Sequence, residues 1–315
     1  MKPIFLNTEL INTIIERQLD KWDEARENFF RLRHAERKSL TLGALQGAIQ
    51  YNPARIRSTG AATDSKSIAA RPCFLCGSNR PEAQDSFEWM EGWEFLVNPF
   101  PILPVHFTII SKNHVPQDHI PAEMASMAEY APDLVFFFNG ARAGASAPDH
   151  LHVQAVLKSE LPLIQLAETH HSSGHTGFMS SEQFGVGLPF HFISAVITPD
   201  YAGMRILSRI TGAFGIDDTT GKADRGLINA FFWIDRYGLL RCVTVPRRRH
   251  RPACFSAEGD DNFMISPGAI DMAGIVIVPR RNDFDRITPE KINGIYSETA
   301  FAGQLPRQIR EYFGL

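Results

Sequence analysis

Two histidines and a glutamine stand at alternate positions in the stretch His150-Leu-His-Val-Gln154. On a β-strand, alternate side chains share a face. His150, His152 and Gln154 are therefore expected to emerge together while Leu151 and Val153 enter a core. Three hydrogen-bonding groups in a row are costly to bury unless a ligand, a metal or a partner satisfies them. A solvent-facing strand surface is the plain alternative. The preceding loop, Asn139-Gly-Ala-Arg-Ala-Gly-Ala-Ser146, favours a ligand. Gly140, Gly144, Ala145 and Ser146 carry little side chain, so backbone N–H groups can approach a phosphate closely. Arg142 and the Ser146 hydroxyl add a charge and a donor. A phosphate cradle beside an imidazole nucleophile points to phosphoryl or nucleotidyl transfer through a covalent intermediate on histidine.

The elements that must position these residues read as a mixture. Apolar residues from Leu10 to Phe29 recur at helical steps, which predicts a helix over about 8–40. Residues 51–67 are turn-rich and read as an extended surface or ligand-accessible segment. Strands are expected over 93–97, 107–111, 134–138 and 150–157, with a helix over 122–130. A polar stretch from about 159 to 187, holding His170, His171 and His175, reads as a long connection. Strands are again expected at 190–197, 227–234, 241–245 and 274–278, with helices at 202–214 and 304–313. No regular strand–helix alternation emerges, so the expected fold class is α+β with antiparallel sheets and flanking helices.

Bulk properties exclude little and steer gently. A formal net charge of -3 gives no reason to expect nucleic-acid or membrane attraction. No apolar run reaches the ~20 residues of a membrane-spanning helix. The first residues lack the continuous apolar core of a secretory signal. Four cysteines in 315 residues do not suggest a disulfide framework. A cytoplasmic location is expected. Two of the cysteines form Cys73-Phe-Leu-Cys76, whose spacing fits either a zinc knuckle or a pair of buried thiols.

Taken across its full length, the stretch from Asn139 to Gln154 resembles the signature of the histidine-triad superfamily, in its transferase branch. That branch includes galactose-1-phosphate uridylyltransferase, diadenosine tetraphosphate phosphorylase and the GDP-hexose phosphorylases. Glutamine at position 154, where triad hydrolases carry a third histidine, is the transferase feature. Upstream, the stretch from Leu96 to Gln117 is similar to the superfamily's first motif. By that resemblance Asn98, Pro99 and Phe100 hold the nucleoside, and the segment from Ile49 to Gly60 adds Asn52 and Arg55 as substrate-binding candidates. The resemblance implies that His152 attacks the α-phosphorus and that Gln154 bonds the non-bridging oxygens. Asn139, Gly144, Ala145 and Ser146 would hold phosphate, and the His150 carbonyl would orient His152. It also implies a structural zinc on Cys73, Cys76, His114 and His150, with His106 and His119 as competing ligands.

The expected architecture is two tandem triad-like halves with only the first catalytic. The segments are an N-terminal helical part (1–44), the catalytic half (45–160), a connection (161–187) and a degenerate half (188–315). Expected partners are a nucleoside diphosphate sugar or a dinucleoside polyphosphate, with phosphate or a sugar phosphate as acceptor. A homodimer is among the expected assemblies, and neither nucleic acid nor membrane is expected. The leading reading is a GDP-hexose phosphorylase or sugar-1-phosphate nucleotidylyltransferase. The alternatives are a dinucleoside polyphosphate phosphorylase or hydrolase, or a nucleotide sensor. GDP- or ADP-linked substrates fit better than UDP-linked ones, because Leu151 and Val153 replace the Pro and Gly of uridylyltransferases. The basic run Pro246–Arg251 reads either as a solvated loop or as a phosphate-binding segment.

Overall fold

The computed structural model describes residues 3–170 and 177–315. Its strands are β1 (Arg37–Leu42), β2 (Leu45–Tyr51), β3 (Ser86–Met90), β4 (Trp93–Val97), β5 (His106–Ser111), β6 (Leu134–Asn139) and β7 (His152–Leu157). The later ones are β8 (Phe178–Ser180), β9 (Ile193–Ile197), β10 (Gly215–Ile216), β11 (Ala223–Asp224), β12 (Ile228–Ile234), β13 (Leu240–Pro246) and β14 (Ile275–Val278). Nine of them form one sheet in the order β3-β4-β5-β7-β6-β12-β13-β9-β8. Every pairing in it is antiparallel. The first and second parts of the chain meet where β6 pairs β12, from Val135 opposite Trp233 to Asn139 opposite Asn229. A second sheet, β1-β2-β14, also draws on both parts, and β14 runs parallel to β2. The α+β architecture is therefore observed, with a large antiparallel sheet as expected and a small sheet that is mixed because β14 joins it in parallel.

Both faces of the large sheet are covered, which explains why β6 reads Leu-Val-Phe-Phe-Phe without polar alternation. Val135 and Phe137 join one core with Leu40, Ile49, Ile164, Val276 and Ile292, beneath the small sheet and its helices. Leu134, Phe136 and Phe138 join the opposite core with Ile11, Ile15, Met124, Met127 and Ile309 from helices on the other side. A strand buried on both faces has no hydrophilic side to show.

Several expected elements shift. The helix expected over 8–40 is two helices, Thr8–Lys21 and Asp23–Arg33, broken at Trp22, whose backbone is extended (φ -123°, ψ 98°). The chain then enters β1. The 51–67 segment is not extended but folds into short helical turns, Pro53–Arg55, Ile56–Thr59 and Ser65–Ala69. In the expected connection, Pro162–His170 is a helix that buries Leu163, Ile164 and Ala167, and β8 joins the sheet edge. His171 and His175 lie outside the described residues. No helix of the described chain is long and apolar enough to cross a membrane.

Candidate active site

A cavity of about 460 Å³ opens beside β5, β7 and the 139–147 loop. Its lining includes Asn98, Phe100, Asn139, Gly144, Ala145, Ser146, His152, Gln154 and Arg55. Most of the expected substrate residues are thus brought to one place, but two are not. Asn52 is buried and donates its amide to the Pro101 carbonyl at 3.0 Å, so it braces the proline turn. Arg142 leaves the cavity to bind Asp217 and Asp224, each at 2.5 Å. Two carboxylates satisfy its guanidinium, which removes it from the phosphate cradle.

His152 begins β7 and is held at both ring and backbone. Its Nδ1 lies 2.8 Å from the His150 carbonyl, which can only accept, so Nδ1 carries the proton and Nε2 keeps its lone pair. Burial holds the imidazole down at about 4, and it is neutral at pH 7. The strand ladder between β6 and β7 runs from Leu134–Leu157 to Phe137–Gln154 and then opens. Gln117, 0 % exposed, fills the gap with its amide. Its Oε1 accepts the His152 N–H at 2.8 Å, and its Nε2 donates to the His152 carbonyl at 2.8 Å and the Asn139 carbonyl at 2.9 Å. A side-chain amide thus replaces a peptide group and splays the strands around the loop. Sequence reasoning missed Gln117; its one signal was a polar residue ending an otherwise turn-like Asn113–Gln117 stretch.

Gln154 lies one pleat along from His152 and lines the same cavity. Its orientation is set by His106, a residue first read as a competing metal ligand. The His106 Nδ1 accepts from the Ile102 N–H at 3.1 Å, so Nε2–H donates to Gln154 Oε1 at 2.9 Å. With its oxygen engaged, Gln154 presents its NH₂ donors to the cavity. Burial, then the neighbouring Arg55 charge, pushes the His106 imidazole down to about 3.

In the loop, Asn139 Oδ1 accepts from Asn229 Nδ2 at 3.0 Å and from the Ala269 N–H at 2.6 Å, which leaves its Nδ2 as the available donor. The two loop glycines are required by close packing. A Cβ on Gly140 would stand 2.4 Å from the Gly226 carbonyl oxygen, and one on Gly144 (φ +97°) would stand 2.4 Å from the Gly268 Cα. Backbone from the later part of the chain therefore presses the cradle closed. Asn98 spends its side chain on its own turn and the next strand, accepting from the Phe100 N–H and donating to the Thr108 hydroxyl on β5, both at 3.0 Å.

His150 does not share the His152 face. It precedes β7 and turns towards Cys73, Cys76 and His114, and the four ligand atoms lie within 4.8 Å of one another. Its Nδ1 is 3.2 Å from Cys73 Sγ and 3.5 Å from Cys76 Sγ, while His114 Nδ1 is 3.3 Å from Cys76 Sγ. These spacings suit the edges of a tetrahedron with ligand bonds of ~2.0–2.3 Å. The His150 Nε2 donates to the Ser111 carbonyl at 2.8 Å, which fixes the tautomer and aims Nδ1 at the thiols. Arg71 paired with Asp149 at 2.6 Å ties the knuckle to the residue before His150. His119 is exposed beside Asp118 and takes no part.

The family model described as a domain of unknown function, DUF4922, matches residues 14–157 of the chain. No curated protein matches it in sequence. Among solved structures it is similar to yeast Ap4A phosphorylase Apa2, with a TM-score of 0.55 and 14% identity over 90% of this chain and 97% of that one. The same yeast enzyme in complex with Ap4A gives a TM-score of 0.56 at 15% identity, over 93% and 98% of the two chains. In complex with AMP it gives 0.51 at 13% identity, over 92% and 98%. At such identities the likeness is one of fold, and the fold of this chain is that of the yeast phosphorylase.

Proposed function

We propose that the chain is a nucleotidyl-transferring phosphorylase that works through a covalent intermediate on His152. The observation that carries the reading is the His152 ring itself. Its Nδ1 proton is committed to the His150 carbonyl at 2.8 Å, which leaves the Nε2 lone pair free, and the residue lines a cavity with Gln154, Asn139, Ala145 and Ser146. Nε2 attacks the α-phosphorus of a nucleoside polyphosphate. The Nε2–P bond forms, the P–O bond to the leaving phosphate breaks, and its electron pair stays on the leaving oxygen. The His150 carbonyl steadies the positive charge that develops on the ring. The amide of Gln154 and the N–H groups of the loop take the non-bridging oxygens. Phosphate then attacks the same phosphorus, the P–N bond breaks and the electron pair returns to Nε2.

Dinucleoside polyphosphates are the first substrate class, supported by the fold likeness to a phosphorylase solved with Ap4A and with AMP. Nucleoside diphosphate sugars are the second, supported by the transferase motif from Asn139 to Gln154. We place zinc, in a structural role, on Cys73, Cys76, His114 and His150, because two thiols and two correctly aimed imidazoles converge there. Four protein ligands leave no open position for a catalytic water. The sequence halves 45–160 and 188–315 are read as tandem triad-like units of which only the first is catalytic, since the second contains no His-x-His.

Intact mass after mixing with dinucleoside polyphosphates and with GDP-, ADP- and UDP-sugars, without phosphate, tests the mechanism. A nucleotide-sized, acid-labile gain is expected for the native chain and absent for His152→Ala. An adduct that persists in His152→Ala would overturn the assignment of the nucleophile.

A further inference from the structure

The cavity has a wall that none of these roles uses. His250, Arg251, Ser266 and Asp271 line it from the later part of the chain, and Arg55 lines it from the 53–59 turn. Within the basic run Pro246–Arg251 the arginines divide into two kinds. Arg248 and Arg249 face Asp218, and Arg249 also meets Glu298. Arg247 and Arg251 form no ion pair with any described carboxylate. Arg247, 0 % exposed, donates to Asn229 Oδ1 at 2.8 Å, the Pro267 carbonyl at 2.9 Å and the Thr299 carbonyl at 3.0 Å. Its remaining nitrogen is buried without a partner. Arg251 donates to Ser266 Oγ at 3.1 Å and to the carbonyls of Thr59 and Ala61 at 3.2 and 2.7 Å. Arg55 has one bond, to the Phe100 carbonyl at 3.0 Å.

Three guanidinium groups thus sit in and behind one cavity wall, and among the described residues every acceptor of their hydrogen bonds is neutral. Burial depresses Arg55 and Arg247 to about 10, a fall that the field of Asp271 opposes without reversing. His250 stands among them, and no hydrogen bond from another described residue reaches its ring. Burial, then the charges of Arg251, Arg247 and Arg142, pushes it down to about 3. The one acid of this wall, Asp271, is raised to about 6 by burial and already accepts the N–H groups of Gly268 and Ile277 at 2.9 Å. Desolvated cations are expensive unless paired. A ligand with several anionic oxygens supplies the missing charge and occupies the unpartnered imidazole.

We infer that His250 and Arg251, with Arg55 beside them and Arg247 behind, form a second phosphate subsite, distinct from the α-phosphate position at His152. Its ligand class is orthophosphate or the terminal phosphoryl group of a polyphosphate. The role given to the subsite rests on the proposed phosphorylase reading. The leaving phosphate departs from the side of the α-phosphorus remote from His152 Nε2, and the incoming phosphate arrives on that side. One subsite serves both.

Calorimetric titration of the full chain with inorganic phosphate, and with inorganic triphosphate, tests the subsite without requiring turnover. One saturable site per chain is expected, weakened by added salt. His250→Gln, which breaks no hydrogen bond of the native fold, should weaken binding at least about tenfold, close to 1.4 kcal/mol. Arg251→Lys should weaken it as well, whereas His152→Ala should retain it. No saturable binding by the native chain, or equal binding by His250→Gln, overturns the subsite. Failure of the phosphorylase reading looks different, because phosphate binding would persist while no nucleotidyl adduct forms with any donor. In the converse failure the adduct forms, and phosphate discharges it with the same half-saturating concentration in the native chain and in His250→Gln.

Discussion

His106 and Gln154 show how one proton can set the chemistry of a neighbouring residue. Ile102 claims the His106 Nδ1, so the proton sits on Nε2 and Gln154 must offer its oxygen to it. Without that bond the Gln154 amide is free to turn its oxygen into the cavity, where it would repel a phosphate. His106→Leu is therefore expected to lower kcat by about 10²-fold, the scale for one lost aligned donor, with a much smaller change in KM. A KM effect of equal size would mean that Gln154 acts in ground-state binding instead. The same substitution leaves a mark on stability. Because burial brings the folded pKa of His106 to about 3, the unfolded chain, with histidine near 6.5, binds more protons between those values. The contribution of His106 is complete above pH 6.5 and is lost as pH falls towards 3, at up to ~1.4 kcal/mol per pH unit. Asp271, raised to about 6, works in the opposite sense at pH 4–6, so the native curve alone does not isolate His106. The stability difference between native protein and His106→Leu does, and denaturant midpoints should show it shrinking from pH 7 to pH 5.

At the scale of elements, the Cys73–Cys76 turn has few backbone bonds of its own, Cys76 N–H to the Cys73 carbonyl at 3.3 Å and Asn79 N–H to the Cys76 carbonyl at 2.9 Å. It lies between the short helix Ser65–Ala69 and β3, and its ties are Arg71 to Asp149, Asn79 to the Cys73 carbonyl at 2.9 Å, and the thiol–imidazole cluster. Phe74 and Leu75, inside the turn, line the cavity. The proposed metal would couple a structural site to the proposed nucleotide pocket. The purified protein should contain about one zinc per chain, and a strong chelator should lower both the melting temperature and the affinity for nucleotide. A metal-free protein with unchanged melting and binding would remove the zinc assignment. The residues of this cluster were legible in the sequence because the Cys-x-x-Cys spacing is local and His114 and His150 sit at recognisable motif positions. His152 and Gln154 were legible from strand alternation. His150 fell on the wrong face because β7 begins two residues later than the apolar pattern suggests. Gln117, His106 and His250 were not assigned to the site. Gln117 acts through a gap between β6 and β7, His106 hides in a strand buried at every position, and His250 acquires its role only when β13 is brought alongside.

At the scale of the molecule, the site belongs neither to the earlier nor to the later part of the chain alone. β6 pairs β7 on one side and β12 on the other, so the strand that leads into the 139–147 loop is central in the sheet. Across that junction Asn229 donates to Asn139 Oδ1 at 3.0 Å and to the Ala143 carbonyl at 2.7 Å, while Arg247 holds the Asn229 oxygen at 2.8 Å. Gly268 and Gly226 then close over Gly144 and Gly140. A chain ending at residue 160 would contain the whole motif, Cys73, Cys76 and the proposed nucleophile His152. It would nonetheless expose the full edge of β6, a strand with every residue buried in the native sheet, and would lose β14 from beside β2. An apolar, unpaired edge recruits other strands. Such a chain is expected to associate or aggregate in size-exclusion chromatography, to lack a cooperative unfolding transition and to form no nucleotidyl adduct. A monomeric, cooperatively folded and adduct-forming 1–160 chain would show that the later part only decorates a self-sufficient catalytic unit, and would remove the structural reason for a phosphate subsite built from His250 and Arg251.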